Sequence, residues 1–308
     1  MSTRSILVAD ELDKTDEQSK KRSAMVQRLG SDLSVLLECP TDLVFVHRLN
    51  EILGKKILNG DNRKKIIDSD RQKYATVLRN FQRPGELFLK LGWPIEEIVK
   101  LVTKEHRFEG LVLGTRSLQG VERFFLGSVA EEVVRSIKRP TFILGPGAQK
   151  EDFNLSEHKK RHFLVVTDLT KKCRAVETYA VSLAQKTGAS VTFYYSLAET
   201  LSTAQQFAYA SGEALSTFDS IFEDMKNEAL TSMTKKIDRL KKKGLDCKFH
   251  IEAEKSDLIE AALSYASDNT QLIFMGHQSH GFIASTVLGS NLRGMIAKAK
   301  VPVVVVRS

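Results

Sequence analysis

The chain is poor in the residues that staple or kink a fold, with three cysteines, six prolines and one tryptophan among 308 positions. Cys39, Cys173 and Cys247 have neither CxxC nor metal-ligand spacing, and an odd number of thiols argues against a disulfide framework, so they read as reduced and packed. No apolar run approaches the roughly 18 residues that span a bilayer, and the first strand-like run begins near Ser5, leaving no room for a signal peptide. These absences predict a cytoplasmic chain without a membrane partner. Positive charge is in excess, at +8 net with a pI near 9.2. It is nevertheless dispersed, apart from Lys241, Lys242 and Lys243 in the last turn of a helix, where cations suit the dipole; this argues against a nucleic-acid partner.

What the chain does contain is a repeat. Leu111 to Gly145 and Leu272 to Arg307 each read as an apolar strand stopped by glycine, a polar loop, a helix opened by Gly-Ser, a proline break and a second apolar strand. Gly114 and Gly276, Gly127 and Gly289, and Pro140 and Pro302 are all 162 residues apart. With a length suited to two domains of about 150 residues, the offset divides the chain into 1–147 and 161–308, joined by a polar linker at 148–160 without periodicity. Strand, glycine loop and helix N-terminus form an anion-binding arrangement, because unpaired first-turn amides and the helix dipole attract negative charge.

Gly114, Ser117, Gly127 and Ser128, and again Gly276, Ser279, Gly289 and Ser290, fall at the spacing of the G-x2-G-x9-G-(S/T) loop of universal stress proteins. The chain resembles a tandem, two-domain member of that family over essentially its whole length. The resemblance implies two five-stranded parallel α/β domains of the adenine nucleotide alpha hydrolase-like fold, strand order 3-2-1-4-5. It also implies an ATP or other adenine-nucleotide site, with or without Mg²⁺, in at least one half, and a role in the stress response exercised with a protein partner still to be identified. Family members pair through their last strands, which predicts an internal pseudo-dimer and leaves a homodimer open. Asp10 and Asp168 end the first strands, where the family places an aspartate beside the ribose and base; capping is the competing reading of both.

The second glycine of each loop is serine here. If the loop needs positive φ there, serine costs on the order of 1–3 kcal/mol, about 5- to 150-fold in affinity. If close approach is the requirement, the hydroxyl offers a hydrogen bond instead. Glu131 in the first half corresponds to Arg293 in the second, and Lys171, Lys172 and Arg174 follow Asp168 where Glu11, Asp13, Asp16 and Glu17 follow Asp10. Charge therefore favours the second half as the nucleotide site. Ser128 and Glu131 also form a capping box. His277 and His280 have H-x-x-H spacing but no companion ligand, so a solvated or phosphate-facing pair is preferred to a metal site. No nucleophile elbow, Walker loop or kinase signature is present, which predicts a non-enzyme with at most slow ATP hydrolysis. The alternative function is a scaffold of the same fold whose sites no longer bind nucleotide.

Helical stripes are expected at Met25, Leu29, Leu33 and Leu36, with Gly30 inside them, and at Val176, Tyr179, Ala180 and Leu183, ending at Gly188. A long stripe from Leu215 through Phe222, Met225, Met233 and Leu240 is expected to be core. Loops are expected over Arg48 to Asn62 and Glu199 to Gly212. Gly92, Trp93 and Pro94 should open a helix, with Ser256 as the corresponding cap in the second half.

Overall fold

A computed structural model describes residues 4–12, 16–48, 60–115, 128–150, 155, 160–198, 218–255, 257–277 and 288–307. Half one runs β1 (Ser5–Ala9), α1 (Glu17–Leu36), β2 (Thr41–Arg48), α2 (Gly60–Arg79), β3 (Pro84–Gly92), α3 (Pro94–Lys104), β4 (Phe108–Gly114), α4 (Ser128–Ser136) and β5 (Thr141–Leu144). Half two follows with β6 (His162–Val166), α5 (Arg174–Thr187), β7 (Ser190–Ser196), α6 (Phe218–Lys241), β8 (Cys247–Glu252), α7 (Leu258–Tyr265), β9 (Thr270–Gly276), α8 (Ser290–Lys298) and β10 (Val303–Val306).

The strands form one sheet in the order β3-β2-β1-β4-β5-β10-β9-β6-β7-β8. Each half therefore has the expected 3-2-1-4-5 order, parallel throughout. The halves meet at β5 and β10, which pair antiparallel with Phe142 opposite Val304. Central strands are apolar on both faces, as a helix-covered parallel sheet requires, and each face carries a core that draws on both halves. Phe142, Phe163 and Val304 lie in one core, and Ile143, Val303 and Met295 in the other.

Local chemistry explains most helix limits. Asp16 caps α1 by accepting from the Ser19 amide at 2.9 Å, and Gly188 ends α5 in the left-handed conformation with φ 67°. Gly30 does not interrupt α1, since a Cβ there would lie 2.2 Å from Val8 Cγ2 and its absence lets the helix lie directly on β1. The α6 stripe is core, with Ala229, Met233, Ile237 and Leu240 buried. Pro94 opens α3 as expected, and Trp93 before it stands partly exposed under the Arg48 guanidinium at 4.8 Å. Asp257 caps α7, accepting from Glu260 N at 2.9 Å; Ser256, the cap expected from the sequence, lies outside the described residues. Of the loop expected over Arg48 to Asn62, Arg48 instead ends β2 and residues 60–62 open α2, while residues 49–59, the loop expected over Glu199 to Gly212 and Leu215 lie outside the described residues.

Two described residues of the segment between the halves are anchored to the fold. Gln149 Nε2 donates to the Thr115 and Leu144 carbonyls, each at 2.9 Å. Leu155 is fully buried in the core shared by α1 and half two, and its amide donates to Asp32 Oδ2 at 2.9 Å.

Candidate functional site

Strand order reverses between β1 and β4 and between β6 and β9, and ligands of open α/β sheets bind beyond the strand C-termini at such points. In half one this corner holds Asp10 and Gly114, and in half two Asp168 and Gly276. Gly289 is the N-cap of α8, with Ser290 exposed as its first residue. Ser128 opens α4 in the equivalent place. Ser117, Gly127 and Ser279 lie outside the described residues, as does His280.

The two aspartates do not occupy equivalent places. Leu7 pairs with Leu111, and Leu164 pairs with Ile273, the repeat partner of Leu111. The first strands are thus 157 residues apart, which sets Asp10 against Thr167 and Glu11 against Asp168. Backbone bonds agree, since the Asp10 and Thr167 amides donate to the matching carbonyls of Val44 and Tyr194. On the first helices, Val26 beside Gly114 and Val176 beside Gly276 are 150 apart, so the β1–α1 connection is seven residues longer than its half-two counterpart.

In half one the corner is filled. Asp10 accepts from Glu11 N at 2.8 Å, from Gln27 Nε2 at 2.9 Å and from Ser23 Oγ. Burial pushes its pKa up against the opposing pull of Gln27, Ser23, the Glu11 amide and Arg22. Arg22 is itself buried, and its stem lies over Gly114: a Cβ there would sit 2.9 Å from Arg22 Cγ and Cδ and from Val26 Cγ2.

In half two the same strand-end pairing is made with other groups. Thr167 Oγ donates to Glu177 Oε1 at 2.6 Å, and Lys236 Nζ reaches the same oxygen at 2.6 Å. Glu177 and Gln27 are 150 residues apart, so the acid sits on the strand in one half and on the helix in the other. Thr167 Oγ also accepts from Leu169 N at 3.1 Å, holding Leu169 at φ 62°, a backbone region that a branched side chain rarely enters. Asp168 Oδ1 accepts from Thr170 N at 2.8 Å and Thr170 Oγ at 2.7 Å, so Asp168 shapes the turn into α5. Burial, then the nearby Asp168, pushes the Cys173 thiol up to about 12, leaving it protonated. Among the described residues, a Cβ at Gly276 would meet Cys173 Sγ at 3.7 Å and Val176 Cγ1 at 4.0 Å.

The α8 N-terminus suits an anion. Gly289 has no side chain to cap the first-turn amides, and that turn carries no acidic residue. Glu131 and Arg293, whose opposite charges distinguish the halves in the sequence, are bonded to one another, Arg293 Nη2 to Glu131 Oε1 at 2.7 Å. That contrast is therefore largely neutralised, which leaves Lys171, Lys172 and Arg174 after Asp168 as the charges that distinguish half two. His277 is buried, and neither ring nitrogen has a hydrogen-bond partner among the described residues; burial first, then Arg307 and Arg135, holds its pKa down. Among the described residues no group of three His, Cys, Asp or Glu side chains gathers as a metal site, and no helix is long and apolar enough to cross a membrane.

Fold and site together define a tandem doubly wound α/β protein with a glycine-rich corner in each half. The universal stress protein family model matches residues 5–145 and again 160–307, and the chain belongs to that family. Over its full length it is similar in structure to a universal stress protein from Archaeoglobus fulgidus DSM 4304, with 19% identity, coverage of 100% of this chain and 99% of that one, and a TM-score of 0.61. It is also similar to a functionally unknown protein from Pseudomonas aeruginosa PAO1, with 12% identity, coverage of 99% and 92%, and a TM-score of 0.53. At these identities the likeness establishes the fold. No curated protein matches the chain.

Proposed function

We propose that the protein is a stress-response regulator that binds ATP or another adenine nucleotide in half two, with or without Mg²⁺, and acts through its bound state rather than through catalysis. Asp168, Gly276, Ser279, Gly289 and Ser290 form the site, with phosphate at the uncapped α8 N-terminus. The observation that supports this reading is the contrast between the two strand-end glycines: among the described residues a Cβ at Gly276 would make ordinary contacts with Cys173 and Val176, whereas one at Gly114 would strike Arg22 and Val26. Asp10, Gly114, Ser117, Gly127 and Ser128 then form a retired counterpart that supports the fold. Asp168→Ala and Gly289→Val should each weaken ATP binding by tenfold or more, whereas Asp10→Ala and Gly127→Val should change it by less than about threefold. The reverse pattern would move the site to half one.

A second reading is an interaction scaffold that binds no nucleotide. Arg22 filling the first corner favours it for half one, and loss of both sets of effects would extend it to the whole chain.

A further inference from the structure

The two-fold relation between the halves allows positions to be compared across their junction. Residues 162 apart are equivalent at this end of each half, and the β5–β10 register sets Phe142 opposite Val304, its own equivalent. The local two-fold axis therefore passes through this pair. In a dimer of identical subunits, any residue on such an axis meets a copy of itself. A tandem chain is free of that constraint, and this one departs from it at two separate places.

The first is Phe142 against Val304, both fully buried. A large ring beside a small branched side chain fills the layer; two phenylalanines would overfill it and two valines would leave a gap. The second is Glu131 on α4 against Arg293 on α8, also equivalents, joined at 2.7 Å with side chains 23% and 33% exposed. Two copies of half one would bring Glu131 to Glu131, and two copies of half two Arg293 to Arg293. Like charges in a partly desolvated position oppose association.

We propose that the junction is heterotypic by construction: half one accepts half two and rejects a second copy of itself, with Glu131/Arg293 and Phe142/Val304 as the specificity-determining pairs. The surface that fits half one is one with a cation at the position of Arg293 and a small apolar residue at the position of Val304. Two chains can then associate through these strands only by exchanging halves, so that every junction again joins half one to half two.

The test uses the full-length chain and amide hydrogen exchange at residues 141–144 and 303–306. Glu131→Arg and Arg293→Glu should each speed exchange there by about tenfold, because each creates a like-charged pair, and the swap Glu131→Arg with Arg293→Glu should return it to within about threefold of the parent. High salt should shrink the single-variant effects, which loss of packing alone would not show. Phe142→Val, Val304→Phe and their swap give a second cycle with the same pattern; because its single variants risk misfolding, the charge cycle decides. Single charge variants without effect, or a swap whose effect is the sum of the singles, would overturn the proposal.

Discussion

Placing one methyl group at each corner glycine gives opposite outcomes. Neither glycine has a left-handed φ, so alanine adds no backbone strain and removes freedom from the unfolded chain, a gain of about 0.4–1 kcal/mol. At Gly276 the new Cβ stands 3.7 Å from Cys173 Sγ, ordinary contact, and the gain remains. At Gly114 three carbons lie at 2.9 Å, on Arg22 and Val26, which are 6% and 1% exposed and have no open side to move into. Overpacking of this kind costs about 1–3 kcal/mol. Gly114→Ala should therefore lose about 1–2 kcal/mol in urea denaturation followed by circular dichroism, and Gly276→Ala should gain about 0.5 kcal/mol. Equal stability changes in the two variants would refute the asymmetry on which the half-two assignment rests.

Asp42 is buried, accepting from Ser5 Oγ at 2.7 Å and Glu86 N at 2.6 Å, and it faces Arg107 Nη2 at 3.0 Å, outside hydrogen-bond geometry. Asp42→Ala leaves the guanidinium with Glu86, which it meets at 2.9 Å, but removes the acceptor of Ser5 Oγ and Glu86 N, and should cost about 1–3 kcal/mol in chemical denaturation, with Asp42→Asn costing clearly less. Gly30→Ala should destabilise by about 1–2 kcal/mol despite alanine's helix propensity, and its effect with Val8→Ala should fall short of the sum, because the smaller strand residue makes room. Burial holds His162 and His277 below the usual histidine pKa. The folded state then binds fewer protons than the unfolded one as pH falls through about 6.5, so stability should drop from pH 7 to pH 5.5, and less so in a His162→Gln/His277→Gln variant. An unchanged drop in that variant would refute the assignment.

The repeat was legible because its landmarks keep a constant offset: Gly114, Gly127 and Pro140 recur at 162; the strand order and internal pairing came from the family resemblance that these landmarks carry. The non-equivalence of Asp10 and Asp168 was not, because both are acids ending an apolar run while the hydrogen-bond register differs by one residue. Arg22 gave no signal either. It lies seven residues beyond where the half-two spacing would place its neighbours, and one arginine on a charged helix reads as solvated until the packing on Gly114 is seen. Leu155 was hidden by polar surroundings, and Gly30 looked like a helix breaker because propensity does not report a strand pressed against the helix. Glu131 and Arg293 each looked like a local electrostatic feature; only the antiparallel β5–β10 pairing turns them into one contact.

Calorimetric titration of ATP with Mg²⁺ into protein first checked for co-purified nucleotide is the most direct test of the central claim. Saturable binding close to one site per chain, abolished by Gly289→Val, is the expected result. No co-purified nucleotide and no heat at millimolar ATP would contradict it.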